Sequence, residues 1–169
     1  MLDIGEHSLN GREHKCLFRN NGDGTFTDVA HVNAVDRIED GRGLSLFDFN
    51  GDGQVDILVR NYRQPAQLLR NTGGPQHWLA FKLVGTKSNR DAVGARVTLT
   101  ASGRKQMREV SCGSGYLSNQ SLVQHFGLGN ATAAEEVEVR WPSGAYTLLF
   151  HVPVDRLVRV IEGDAGSVE

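Results

Sequence analysis

The sequence predicts an all-β protein, in which one or two β-propeller-type blades precede a β-sandwich-like domain. Three observations predict this fold class. Short segments rich in β-branched, aromatic or alternating apolar residues recur along the whole chain. Turn residues separate these segments in a chain with 20 glycines, and no segment has a convincing helical period. A breaker cluster at residues 71–75 divides the chain, so we expect domains at 1–74 and 75–163 and a tail at 164–169.

The first part of the chain contains a repeated unit. Residues 16–29 predict a strand, an Asn-Gly-Asp-Gly turn and a second strand. Residues 67–73 repeat the opening of this unit about 50 residues later, with a hydrophobic pair, Arg-Asn and a glycine turn. Because a repeat of this period is typical of β-propellers, these residues predict one or two propeller-type blades.

Residues 48–56, Asp-Phe-Asn-Gly-Asp-Gly-Gln-Val-Asp, carry the most specific chemical signal in the sequence. Side chains with hard oxygen donors alternate along this segment, and its glycines allow the chain to fold back so that the donors converge. Calcium prefers six to eight such oxygens at about 2.3–2.6 Å, whereas the carboxylates would repel one another without a cation. The segment therefore predicts a Ca²⁺ site with the ligands Asp48, Asn50, Asp52, Gln54 and Asp56.

The surroundings of this loop exclude a helix–loop–helix calcium site. An EF-hand needs an acidic residue at loop position 12, where this chain has Val59. The flanking residues 43–47 and 55–59 have the composition of strands, so we predict a strand–calcium loop–strand hairpin. A metal-free turn is the alternative, since Asp, Asn and Gly favour tight turns without a cation. A similar segment at 21–28 has Thr25 in place of a carboxylate and predicts a plain hairpin turn.

The second part of the chain alternates as strands do, with turn signals between the segments. Ala101-Ser102-Gly103 is one such signal and predicts a hairpin. Six or more short strands without a helix favour a β-sandwich or barrel. The predicted strands are 77–84, 94–100, 104–110, 136–141, 145–151 and 157–161.

Motifs in both parts carry a resemblance to known families. Residues 48–56 resemble the calcium loop of FG-GAP/VCBS propeller repeats, the type found in integrin α-subunit propellers. A second set of motifs resembles the ASPIC/UnbV domain, which is the C-terminal domain of the cartilage acidic protein family and its bacterial relatives. These motifs are residues 77–79, 83–97, 113–118, 125–129 and 137–144.

The resemblance implies a location and a setting for the chain. It implies an extracellular or periplasmic protein, although residues 1–7 show no signal peptide. It also implies the C-terminal part of a larger propeller protein, because family members carry a full propeller ahead of this domain. One or two isolated blades have open strand edges. We therefore expect residues 1–72 to pack on the following domain or to associate with another subunit.

Charge and motif content argue against several functional classes. The net charge is −2 with both signs interspersed, which argues against nucleic acid as a partner. No apolar run approaches the length of a membrane span. Ser114 is preceded two residues earlier by Cys112, whereas a nucleophile elbow needs glycine there. Sequence spacing identifies no acid–base pair, so we predict no catalytic residue.

A glycine-hinged segment at 113–120 offers a possible ligand surface. Hydroxyls, amides and an aromatic ring in one loop could bond a sugar and stack on its ring. In the alternative, the segment is an ordinary β-arch with its tyrosine packed inward. The residues of this predicted surface are Ser114, Tyr116, Ser118, Asn119 and Gln120.

These observations favour a calcium-stabilised adhesion or recognition module with a protein or glycan ligand. A structural accessory domain without a ligand is the first alternative, in which calcium only fixes a hairpin. An accessory protein or enzyme of a natural-product pathway is the second, because UnbV-like proteins occur near such pathways. That alternative requires a deep pocket with convergent titratable groups.

Overall fold

The computed structural model describes residues 13–74, 76–116 and 118–164, which form twelve β-strands and no helix. The predicted all-β class is confirmed. The first part contains β1 Phe18–Asn20, β2 Phe26–Asp28, β3 Gly41–Phe47, β4 Asp56–Asn61 and β5 Gln67–Leu69. The second contains β6 His77–Val84, β7 Arg96–Ala101, β8 Arg104–Glu109, β9 Gln124–Gly129, β10 Ala133–Arg140, β11 Tyr146–Pro153 and β12 Arg156–Ile161. Residues 1–12 of the first predicted domain and 165–169 of the predicted tail lie outside the described residues.

The first part of the chain consists of a hairpin and a small sheet. Strands β1 and β2 pair antiparallel, with Phe18 opposite Asp28. The Asn21 amide donates to the Thr25 carbonyl at 3.0 Å, which closes the predicted hairpin turn. Strands β3, β4 and β5 form an antiparallel sheet in that order. No sheet of the described residues closes into a ring, so the propeller setting stays a prediction.

The second part is a sandwich of two sheets around one core. One sheet has the strand order β11-β10-β7-β8 and the other the order β12-β6-β9. All pairs are antiparallel except β12 and β6, which run parallel. Inward residues alternate with outward ones along β7 and along residues 136–140 of β10, as the period of two requires. Phe81 and Phe126 meet edge to face at 5.7 Å in the core between the sheets.

The largest buried side chain of this core also needs a polar partner. Trp141 is 2% exposed, and its indole nitrogen donates to the hydroxyl of Thr147 at 2.9 Å. Burial of a large apolar side chain contributes about 1.5–3 kcal/mol, but a buried N–H without an acceptor costs a comparable amount. Thr147 therefore allows the indole to be buried without that cost.

A buried carboxylate fastens two loops to the end of β12. Glu162 is 3% exposed, and its Oε2 accepts the backbone amides of Thr86, Lys87 and Ser88 at 2.7–2.8 Å. Its Oε1 accepts the hydroxyls of Ser88 and Ser143. Burial alone would raise the pKa of Glu162, but these hydrogen bonds to the charged form outweigh it and lower the pKa to about 2. Glu162 is therefore ionised at neutral pH.

Candidate functional site

The predicted calcium loop joins β3 to β4, as expected, and folds around Asp48. Oδ1 of Asp48 accepts the amides of Gly51 at 2.7 Å and Asp52 at 3.2 Å, and Oδ2 accepts the amide of Gly53 at 2.7 Å. Gly51 and Gly53 have φ angles of +76° and +83°, which strain any residue with a β-carbon. The Asp48 carboxylate thus accepts three backbone amides of the loop, which the positive φ angles of the two glycines direct inward.

Asp52 organises the far side of the same loop. Its Oδ1 accepts the amide of Gln54 at 2.9 Å, and its Oδ2 accepts the side-chain amide of Asn50 at 2.8 Å. Arg70 lies 3.5 Å from the same Oδ2. The hydrogen bond from Asn50, then that from Gln54, and the charge of Arg70 lower the pKa of Asp52. This group is ionised at neutral pH, as a calcium ligand must be.

Asp56 differs from the other predicted ligands because it is buried, at 1% exposure. Its Oδ2 accepts the amide of Phe49 at 2.9 Å, and its Oδ1 accepts the amide of Asn71 at 2.7 Å. These bonds tie the start of the loop and the end of β5 to the start of β4. In this arrangement Asp56 fastens the loop to its sheet.

The donor set fits calcium by its chemistry, since every predicted ligand offers a hard oxygen. In the described parts of the chain, however, no three Asp, Glu, His or Cys side chains form an arrangement that could hold a metal ion. Asp48 and Asp52 direct their oxygens at loop amides instead. Calcium binding at Asp48, Asn50, Asp52, Gln54 and Asp56 therefore stays a prediction.

The loop also contacts the second part of the chain through Gly53. The Trp78 ring lies against Gly53 and stacks on His125, with ring centroids 5.5 Å apart and planes inclined by 10°. Nε2 of His125 donates to the Gly53 carbonyl at 2.7 Å. Burial lowers the pKa of His125, although the Gly53 carbonyl and Asp48 act in the opposite direction. Sequence reasoning assigned His125 to a strand, which is its position in β9, but missed this contact.

A second contact between the two parts involves the edge of β3. The side-chain amide of Gln120 donates to the Leu44 carbonyl at 2.9 Å and accepts the Leu46 amide at 2.8 Å. The Ser45 hydroxyl donates to the Asn119 carbonyl at 3.0 Å. Gln120 thus binds β3 as the backbone of a further strand would, and it protects an edge that would otherwise be open. The expected packing of the first part on the following domain is present here.

Contacts within the chain occupy most residues of the predicted ligand surface, and Tyr116 stays exposed. Ser118 donates to the Ser114 carbonyl at 3.1 Å, and Oδ1 of Asn119 accepts two amides of its own loop. Gln120 is engaged with β3. Tyr116, by contrast, is 69% exposed, so the alternative in which it packs inward is wrong. Leu117, within the same motif, lies outside the described residues.

Tyr116 instead faces a pocket to which both parts of the chain contribute. The pocket has a volume of about 480 Å³. Its other lining residues come from β3, β4 and the turn that follows β4, none of which the sequence reasoning associated with a ligand. Together the lining residues are Arg42, Gly43, Arg60, Asn61, Tyr62 and Tyr116.

The fold and the loop define a two-part β module, a small antiparallel sheet fastened to a β-sandwich. Residues 8–59 match the family described as FG-GAP-like repeat, and residues 85–167 match the family described as ASPIC and UnbV. The chain therefore belongs with the proteins that combine an FG-GAP-like repeat and an ASPIC/UnbV domain, as the sequence motifs indicated.

Curated relatives agree with this assignment. The chain is 33% identical to cartilage acidic protein 1 of Mus musculus and of Homo sapiens over 138 residues, which is 79% of this chain and 21% of each relative. It is 38% identical to cartilage acidic protein 1 of Xenopus tropicalis over 112 residues, 62% of this chain and 17% of that relative. The chain thus spans about a fifth of the length of these relatives. Within its described residues, no helix is long and apolar enough to cross a membrane.

Proposed function

We propose that this chain is a calcium-stabilised adhesion or recognition module of an extracellular or periplasmic protein. The observation that carries the proposal is the position of Gly53. This residue lies inside the candidate calcium loop and is also the contact point for Trp78 and His125 of the sandwich. A cation that orders the loop would therefore also order the contact between the two parts.

Calcium would supply a positive charge for the oxygens of Asp48, Asn50, Asp52, Gln54 and Asp56. Hydrogen bonds within the chain hold the loop in position, because Asp56 fixes the loop to its sheet and His125 fixes the Gly53 carbonyl. A cation that binds only the folded state stabilises it by about 2.7 kcal/mol at a hundredfold excess over Kd. Extracellular calcium modules have Kd values of about 10⁻⁴–10⁻³ M, which suits an extracellular rather than a cytosolic setting.

Calcium titration followed by thermal unfolding tests the proposal. We expect Tm to rise with calcium, and we expect tryptophan emission to change because Trp78 contacts the loop. Asp48→Asn should abolish the calcium-induced rise, and Asp23→Asn, in the β1–β2 turn, should retain it. The readout is the rise in Tm and not Tm itself, since Asp48 also holds loop amides. An identical Tm with and without calcium in the parent and both variants would refute the proposal.

One observation favours a second candidate, a structural domain without a ligand. Asn119 and Gln120, two residues of the predicted ligand surface, are occupied by contacts within their loop and with β3. A calcium-loaded, folded chain that binds no member of a glycan and protein panel would support this candidate over recognition.

A further inference from the structure

The pocket beside Tyr116 has the size and position of a ligand site. Its volume of about 480 Å³ lies within the range of small-molecule pockets, which is roughly 300–1,000 Å³. It lies where β4 ends, and Tyr116 of the sandwich reaches it from the other part of the chain. Sites between two packed units are common places for ligands.

Positive charge surrounds this pocket. Arg60 lines it, and the Arg63 guanidinium lies 5.1 Å from the centre of the Tyr62 ring. Arg42 lies 5.9 Å from the same ring and is paired with Asp40 at 2.7 Å. In the described ranges, neither Arg60 nor Arg63 forms an ion pair with a carboxylate. Arg60, whose Nη1 donates to the Asn61 carbonyl at 2.7 Å, and Arg63, which lies beside the pocket-lining Tyr62, are therefore not balanced by an acidic neighbour.

The turn that carries Tyr62 is held in place before any ligand arrives. Asn61 is 1% exposed and donates from Nδ2 to the Pro65 carbonyl at 2.7 Å. The Tyr62 amide donates to the Asp40 carbonyl at 2.7 Å. Arg63 has a φ of +53°, an unfavourable value for a residue with a β-carbon. Such strain persists only where the surroundings fix it, and it is often found at ligand sites.

The chemistry of the pocket selects a class of ligand. Tyr116 is 69% exposed, so its ring offers an apolar face for stacking. Tyr62 is 51% exposed, and the Arg63 guanidinium lies over its ring, so the two together present a cationic surface. Arginine binds carboxylate and sulfate in a bidentate manner. We infer that this arginine–tyrosine pocket, lined by Arg60, Tyr62 and Tyr116 with Arg63 beside Tyr62, binds an anionic saccharide that carries a carboxylate or sulfate group. The inference rests on the recognition role proposed above and names its ligand class.

An acidic peptide fits these observations less well. An extended peptide usually adds to a free strand edge, where backbone hydrogen bonds provide affinity. The edge of β3 next to the pocket is occupied by Gln120, which bonds Leu44 and Leu46. The pocket is also compact, whereas a peptide needs an extended groove. A ring with one or two anionic groups matches both features.

An NMR titration of the calcium-loaded chain at low salt tests the inference. The probes are a sulfated uronate disaccharide, an unsulfated uronate disaccharide, neutral cellobiose, inorganic sulfate and hexaglutamate. We expect at least one anionic disaccharide to shift the amides of Tyr62 and Tyr116, with an affinity that falls as salt rises. Cellobiose and sulfate alone should bind at least about tenfold more weakly, because cellobiose lacks the anionic group and sulfate lacks the sugar ring.

Substitutions test whether the disaccharide binds in this pocket. Arg60→Gln and Tyr116→Ala should each weaken disaccharide binding about tenfold or more. Their matched controls are Arg19→Gln on β1 and Tyr146→Ala on β11, two exposed residues outside the pocket, and these should bind as the parent does. The inference is overturned if hexaglutamate or sulfate binds as tightly as the disaccharides, or if no probe binds. It is also overturned if the control variants weaken binding equally.

The titration also separates this inference from the calcium proposal. Disaccharide binding by a chain whose Tm does not respond to calcium would support the pocket and refute the calcium role. A calcium-dependent Tm together with no disaccharide binding would support calcium stabilisation and refute the pocket.

Discussion

Gly53 lies so close to the Trp78 ring that a β-carbon at residue 53 would be 1.9 Å from the indole nitrogen. The φ angle of +83° at Gly53 gives a second reason for glycine. Gly51, two residues earlier, has a similar φ of +76°, but no atom lies within 4 Å of a β-carbon placed there. The two glycines thus share a backbone requirement, and the steric requirement belongs to Gly53.

This difference predicts unequal effects of two alanine substitutions. Gly51→Ala should cost about 1 kcal/mol of unfolding free energy for the positive φ alone. Gly53→Ala should cost about 1–3 kcal/mol more, because Trp78 must move away from the loop. Urea unfolding measures both values, and tryptophan emission should change in Gly53→Ala. Equal losses in the two variants would show that the Trp78 contact does not stabilise the chain.

The Gln120 side chain should protect the edge of β3. Gln120→Ala removes two hydrogen bonds to β3, with an expected loss of roughly 1–2 kcal/mol. Hydrogen exchange of the Leu46 amide, which donates to Gln120, should become faster. Gln106→Ala is the matched control, since its one bond, to the Gly127 carbonyl, lies within the sandwich. Unchanged exchange at Leu46 in Gln120→Ala would contradict the edge role.

Local features of the fold could be predicted from the sequence because they depend on nearby residues. The Ala101-Ser102-Gly103 signal predicted a hairpin, and β7 and β8 pair there with Ala101 opposite Arg104. Ser102 and Gly103 both have positive φ, as a tight hairpin turn requires. The segment at 48–56 likewise joins two strands, as its flanks predicted.

Contacts between distant segments left no such pattern in the sequence. The parallel pairing of β12 with β6 places Arg156 opposite Leu79, and neither strand differs in composition from an antiparallel one. The contact of Trp78 with Gly53 depends on how two sheets meet, and the residue spacing does not encode that geometry. For the same reason the sequence could group Tyr116 with its loop neighbours but not with Tyr62 and Arg60.

Thr147 should be required for the burial of Trp141. Thr147→Val keeps the shape of the side chain but leaves the indole N–H of Trp141 buried without an acceptor. The expected loss is about 1–3 kcal/mol of unfolding free energy, measured by urea unfolding. Thr98→Val, on β7, is the control and should be close to neutral, since Thr98 is half-buried and has no side-chain hydrogen bond in the described structure. A neutral Thr147→Val would mean that the indole finds another acceptor.

Acid should destabilise the sandwich partly through Glu162. Its pKa falls from 4.5 to about 2 on folding, so its contribution is complete above pH 4.5 and is lost as the pH falls toward 2. Other carboxylates with lowered pKa values, among them Asp28 and Asp36, also contribute to acid unfolding. The wild-type pH profile alone therefore cannot isolate Glu162.

A neutral replacement of Glu162 isolates its contribution to stability in acid. Glu162→Gln preserves the size of the side chain but removes the charge that accepts the amides of Thr86, Lys87 and Ser88. At pH 7 we expect a loss of about 1.5–3 kcal/mol, typical of a hydrogen bond to a charged group. The difference from the parent should shrink between pH 4.5 and 2, because the parent then loses the same charge. Glu136→Gln, an exposed carboxylate on β10, should stay close to the parent at every pH. If the difference for Glu162→Gln is instead constant across this range in urea unfolding, ionised Glu162 is not what fastens the two loops to β12.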